Sequence, residues 1–171
     1  LARFTSLNGL SRPEVYGYTD YTSGLGMISY ANSIKKLKVG ATLKYFFQGF
    51  SENSGTMEGA HGSGINLDLG AQLKANNWLT LGASLSNALT SSLGGKFTWA
   101  KNNFVENMPS VLKAGAGVNL FGENGLKNIG SQEAIFLLDF EKGIAGSNTP
   151  ILAHSGIEWK PVKAFALRFG I

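Results

Sequence analysis

Apolar and polar residues alternate along Ile65–Lys74. Ile65, Leu67, Leu69, Ala71 and Leu73 fall on one side of an extended chain, and Asn66, Asp68, Gly70, Gln72 and Lys74 on the other. The same period of two recurs at Leu37–Phe47, Leu79–Ser86 and Ala164–Ile171. Runs of about ten residues exceed the usual soluble strand and match the roughly 9–11 residues a tilted strand needs to cross a bilayer. With polar turns between them, such runs are the signature of a transmembrane β-barrel, apolar toward lipid and polar toward the lumen. The pattern predicts strands near 24–34, 37–50, 63–74, 78–88, 110–121, 133–142, 150–160 and 164–171, about eight in all and antiparallel by turn length.

Register offers an internal check, because paired residues of a hairpin share a face. Ile28, Tyr30 and Ile34 are apolar at even positions, and Leu37, Val39 and Ala41 at odd ones. A two-residue turn at Lys35-Lys36 pairs even with odd, so the apolar faces match. A three-residue turn at Ala75-Asn76-Asn77 pairs Leu73 with Leu79. A three-residue turn at Pro161-Val162-Lys163 places Trp159 opposite Phe165 and Ile157 opposite Leu167.

These tight connections alternate with long ones at 51–62 and 89–109, rich in Gly, Ser and Asn. Outer-membrane barrels have short periplasmic turns and longer outer loops. Segment 122–132 departs from this rule, and Lys96–Val105 reads as either a hairpin arm or a loop. The whole of 1–171 reads as one β-barrel domain, with 1–23 an irregular or edge segment broken at Arg12-Pro13. A signal peptide is expected upstream of Leu1. The last residues lie within an alternating strand, so further strands are expected.

Composition narrows the class. Charged residues make up 15% of the chain, against roughly 25% in a soluble domain, and no apolar run is long enough for a membrane helix. A barrel is the other structure that satisfies its backbone in lipid. The absence of cysteine removes disulfides, thiolate metal sites and Cys nucleophiles. The net charge of +4 is scattered and makes no basic stripe of the kind nucleic acid requires. His61 near Glu58 and the separate His154 make no metal set. Gly62-Ser63-Gly64 precedes no helix and is no phosphate loop. No nucleophile elbow is present. The chain is therefore read as neither an enzyme nor a cofactor protein.

The polar-face charges are the candidate site residues: Lys38, Lys44, Asp68, Lys113, Asp139, Glu158 and Arg168. Two readings apply to them. They line a lumen and contact solute, or they pair with one another, as Lys44 and Asp68 on neighbouring strands could, and hold the wall together. Phe46, Ile135 and Leu137 fall on the same predicted face, either as a path for a hydrophobic ligand or as packing against a plug. Tyr30, Trp78, Trp159 and Phe165 lie near the short turns, as an interfacial aromatic girdle does. Gly115 and Gly117 ease close packing or bending.

Three motifs carry a family resemblance. Gly40-Ala41-Thr42-Leu43-Lys44-Tyr45 is followed by Gly64-Ile65-Asn66-Leu67-Asp68-Leu69-Gly70, then by Leu81-Gly82-Ala83-Ser84-Leu85-Ser86-Asn87. Met108-Pro109-Ser110, Gly156-Ile157-Glu158-Trp159 and Ala166-Leu167-Arg168-Phe169-Gly170 come later in the same order. Residues 24–171 thus resemble the FadL-related outer-membrane barrels, in the branch containing the PorV/PorQ proteins of type IX secretion. The resemblance implies a bacterial outer-membrane location, a barrel of about fourteen strands of which this chain holds a part, and an Asn-Pro-Ala-rich plug that is not seen here. It implies passage of hydrophobic compounds or a role in protein export, with membrane lipid, hydrophobic small molecules or secretion-machinery proteins as partners. Two alternatives stand beside it: a structural barrel displaying its loops to partners, and a soluble lipocalin-like binder with its apolar face turned inward.

Overall fold

A computed structural model describes residues 2–6, 14–51, 59–145 and 149–171, with side chains described from Asp20 onward. Arg12-Pro13 and Glu58 lie outside the described residues. The chain is all-β. The strands are β1 (Ala2–Ser6), β2 (Glu14–Thr19), β3 (Tyr21–Ile34), β4 (Leu37–Phe50), β5 (His61–Lys74), β6 (Leu79–Ser86), β7 (Lys96–Trp99), β8 (Phe104–Asn107), β9 (Ser110–Phe121), β10 (Glu133–Ala145), β11 (Leu152–Val162) and β12 (Phe165–Gly170). Strands β1 and β2 form their own antiparallel pair, where the sequence suggests an irregular or edge segment. The main sheet runs in the order β12-β11-β10-β9-β6-β5-β4-β3, an up-and-down path from which the β7–β8 hairpin departs to pair with β5. Among the described residues no helix is long and apolar enough to cross a membrane, which says nothing about strands.

By contacts the chain divides into two compact units, Leu1–Ile28 with Leu43–Asn66 and Leu89–Met108, and Ser29–Thr42 with Leu67–Ala88 and Pro109–Ile171. In the second unit the strand registers sort side chains into two faces. Leu73, Leu81, Ala116 and Leu138 form one continuous row across β5, β6, β9 and β10. Leu79, Val118, Phe136, Ile157 and Phe169 form another, extending to β12. The opposite face carries Ser84, Lys113 and Glu141 in one row, and Asn119, Ile135, Glu158 and Arg168 in another. Alternation at period two produces this division in every strand.

In the first unit, β7 docks on β5 through Gly62↔Trp99 and Gly64↔Phe97. The glycines make the approach possible: a Cβ on Gly64 would lie 2.8 Å from the Met108 methyl and against the Lys96 carbonyl. An aromatic chain follows, with ring centroids 5.0 Å apart for Tyr21–Phe50, 6.2 Å for Phe50–Trp99 and 5.2 Å for Phe97–Trp99. The Trp99 indole donates to Glu106 Oε1 at 2.6 Å across the hairpin. Lys96–Val105 is therefore a hairpin arm rather than a plain loop.

The turn at Lys35-Lys36 is the two-residue connection expected, with Lys35 in the left-handed region at φ 56°. Two registers differ from expectation. Leu73 pairs with Leu81 rather than Leu79, because the Asn76 side chain accepts from the backbone N–H of Trp78 (3.1 Å) and Leu79 (2.8 Å) and widens the turn. Trp159 pairs with Leu167 and Ile157 with Phe169, and the register shifts between Trp159 and Val162. Pro161, which has no N–H to give, sits in that bulge, and the turn moves to Lys163-Ala164. Both slips are of two residues, so every side chain keeps its face.

Candidate functional site: the polar face of the sheet

The charged side chains of the second unit gather by register. Lys113 and Glu141 lie opposite each other on β9 and β10 and form an ion pair at 2.7 Å. Asp139 is two residues before Glu141 on the same face, with Gly115 opposite it on one side and His154 on the other. A second group crosses β10, β11 and β12: Glu133 to Lys160 at 3.5 Å, Lys160 to Glu158 at 3.2 Å, and Glu158 to Arg168, its direct cross-strand partner. Glu133, Glu158 and Lys160 also line a cleft of about 370 Å³ with Asn119, Phe121 and Glu123. The reading in which the face charges pair with one another thus describes Lys113, Glu158 and Arg168.

Apolar groups interrupt this face. Ile135 sits between Asn119 and Glu158, and Leu137 between Gly117 and Gly156. A Cβ on Gly117 would lie 3.2 Å from Leu137 Cδ2, and one on Gly115 would lie 2.7 Å from the Leu138 carbonyl oxygen. Glycine is used at both positions for close packing, as the sequence suggests.

Asp68 has a structural task. Its Oδ1 accepts from the backbone N–H of Asn87 at 2.8 Å as the chain leaves β6. Asn87 is left-handed, with φ 53°, a conformation Asn tolerates better than most residues. Its Nδ2 donates to the Pro109 carbonyl at 2.9 Å, and its own carbonyl accepts from Ser110 Oγ at 2.6 Å. Asp68, Asn87 and Pro109-Ser110, each from a different quoted motif, therefore form one clip that fixes the exit of β6 and the entry of β9.

Lys38 is exposed on β4. In the first unit Lys44 is buried, with its ammonium 5.5 Å from the centroid of the Phe46 ring. Asn66 is fully buried; its Oδ1 accepts from Leu89 N–H at 3.1 Å and its Nδ2 reaches the Leu89 carbonyl and the Met108 sulfur, both at 3.4 Å. Tyr30, Trp159 and Phe165 are exposed and Trp78 is half-buried. The Trp159 indole donates to Gln132 at 3.2 Å. His61 Nδ1 lies 3.2 Å from the Gly59 carbonyl. No group of three or more metal-ligating side chains occurs among the described residues.

Glu133, Glu141 and Lys160 belong to the charged face but are not among the residues singled out from the sequence. Counting by twos from Asp139 and Glu158 reaches Glu141 and Lys160. No protein-family model matches the chain, and neither a curated protein nor a solved structure matches it.

Proposed function

We propose that the chain forms part of a bacterial outer-membrane β-barrel of the FadL-related, PorV/PorQ-like kind, which passes hydrophobic compounds or serves as a component of a protein-export machinery. One observation carries the reading: along β4 and β5 burial runs opposite to a soluble domain. Along β4, Leu43, Tyr45 and Phe47 are 49%, 50% and 42% exposed while Lys44 between them is 9% exposed. Along β5, Ile65 is 44% exposed beside a fully buried Asn66. Among the described residues the buried apolar ones are Ala60, Phe97 and Ala134. Large apolar surface on a monomer marks an interaction face, and here it is spread over the strands in the way a lipid-facing wall is. A lipocalin-like binder would bury that face, so the pattern favours lipid over the soluble alternative.

The polar face explains the expected mode of action. Lys113, Glu133, Glu141, Glu158, Lys160 and Arg168 on it are partnered in ion pairs, and Ile135 and Leu137 lie among them. An open diffusion pore calls for a strongly charged constriction, whereas paired charges with apolar insertions suit a narrow or plugged barrel. In lipid an unpaired strand edge is costly, so under this reading β3 and β12 pair onward into a larger barrel of about fourteen strands. No turnover, cofactor or nucleic-acid partner is proposed.

The test is the intact protein in planar bilayers. The reading expects little ion conductance and membrane-fraction recovery that requires detergent to extract. Large, steady, voltage-insensitive single-channel currents would replace it with an open porin, and extraction without detergent would return the soluble binder.

A further inference from the structure

We infer that the first unit carries, on the side of β4 opposite Lys44, a binding cleft for a neutral saccharide ring. The cleft has a volume of about 460 Å³ and is lined by Thr22, Tyr45, Phe47, His61, Ser63 and Thr98 among others, within the roughly 300–1,000 Å³ of small-molecule sites. Its floor is aromatic. Tyr45 and Phe47 are two residues apart on β4 and so point the same way. Their ring centroids are 6.4 Å apart and their planes are inclined by 30°, which makes a shallow shelf. Phe47 rests on β3 at Gly24, where any Cβ would collide with the ring. The shelf is thereby set in place before a ligand arrives.

The strands beside it supply polar groups. Ser63 and Thr98 are cross-strand partners between β5 and β7, which brings their hydroxyls side by side. His61 stands two residues earlier on the same face of β5, and its Nδ1 contact with Gly59 leaves Nε2 to donate or accept. A ring of stacked C–H groups edged with hydroxyls matches this combination: the C–H groups lie on the Tyr45–Phe47 shelf, and the hydroxyls exchange hydrogen bonds with Ser63, Thr98 and His61. No Lys, Arg, Asp or Glu lines the cleft among the described residues. A phosphate or carboxylate ligand would call for cationic partners, so the saccharide is neutral.

The cleft rests on the membrane reading in one respect: Tyr45 and Phe47 stand on the face read there as the lipid-facing wall, toward the Phe50 end of β4, so a sugar seated on them lies at the level of the lipid headgroups. A headgroup sugar of a glycolipid and a free glycan offer the same ring. The experiment uses the full-length protein in polyoxyethylene micelles, titrated with maltose, with a submicellar alkyl maltoside, and with a sulfobetaine of the same chain length. Saturation-transfer NMR of the sugar protons reports binding. Saturable binding of the maltoside alone identifies a lipid-linked sugar, and equal binding of both identifies a free glycan. In either case Thr98→Val and Tyr45→Ala are expected to weaken binding at least tenfold, and Gly24→Ala, which displaces Phe47, to do the same, with thermal midpoints close to the parent. Binding by neither sugar, equal competition by the sulfobetaine, or unchanged affinity in Thr98→Val and Tyr45→Ala would overturn the cleft. Flotation of the same protein with liposomes reports the membrane reading separately.

Discussion

Removing the Asp68 carboxylate tests the clip at the exit of β6. In Asp68→Ala the Asn87 N–H loses an acceptor at 2.8 Å. A hydrogen bond to a charged group contributes about 1.5–3 kcal/mol, and a neutral one about 0.5–1.5 kcal/mol. Asp68→Ala is therefore expected to destabilise by about 1.5–3 kcal/mol, and Asp68→Asn, which keeps the acceptor oxygen but not its charge, by about 1 kcal/mol. The second half of the clip separates by backbone conformation. Asn87→Gly keeps the left-handed φ of 53° and loses the bond to Pro109, a cost of about 0.5–1.5 kcal/mol. Asn87→Ala adds the left-handed penalty of a Cβ residue, about 1–2 kcal/mol. The assay is urea unfolding of the full-length protein in lipid vesicles, followed by tryptophan fluorescence. The expected order is parent, then Asn87→Gly and Asp68→Asn, then Asn87→Ala and Asp68→Ala. Equal stability of Asn87→Gly and Asn87→Ala, or an Asp68→Ala protein within about 0.5 kcal/mol of the parent, would refute the clip.

Other outcomes follow from the two faces. Leu81→Arg, on the apolar row with Leu73 and Ala116, is expected to cost about 2–4 kcal/mol in a vesicle-unfolding assay, while Ser84→Arg on the opposite face costs much less; equal losses would contradict the face assignment. Reversing the cross-strand pair as Lys113→Glu with Glu141→Lys is expected to recover the heat-dependent gel mobility that either single reversal lowers, because like charges directly opposite each other repel. Gly64→Ala forces the Lys96 carbonyl and Met108 aside, and overpacking of this kind costs about 1–3 kcal/mol; proteolysis within 96–107 is expected to rise, and no change would show that β7 is not held there. His61→Ala and His154→Ala are expected to abolish no enzymatic turnover.

Most strands were readable because a period of two is written directly into the side chains, as in Ile65–Lys74. Which residues share a face was equally legible: both hairpin registers slipped by two residues, and a slip of two leaves each side chain where it was. The slips themselves were hidden, since they come from an Asn76 side chain acting as a backbone acceptor and from a bulge around Pro161. Glu141 and Lys160 continue the period of two from Asp139 and Glu158 and were legible in it, whereas Glu133 opens β10, where alternation fades into turn composition. The pairing of β7 with β5 was not readable either. It depends on Gly62 and Gly64 admitting a distant strand, and a local pattern carries no partner. The type and parity of Asp68 place it on the polar face, and they carry no sign of its acceptor role toward Asn87, which is set by tertiary approach alone.

Which side meets lipid is the central question, and the absence of cysteine from these 171 residues makes each strand position open to single-site labelling. Single cysteines at Leu69, Leu81 and Leu167 on one face, and at Ser84, Asp139 and Glu141 on the other, are labelled with a fluorophore in the full-length protein reconstituted in vesicles. The account predicts quenching of the first set by a lipid-borne quencher and of the second by a water-soluble one. Quenching of the Asp139 and Glu141 labels by the lipid-borne agent, with the Leu69 and Leu81 labels open to water or shielded from both, would contradict it.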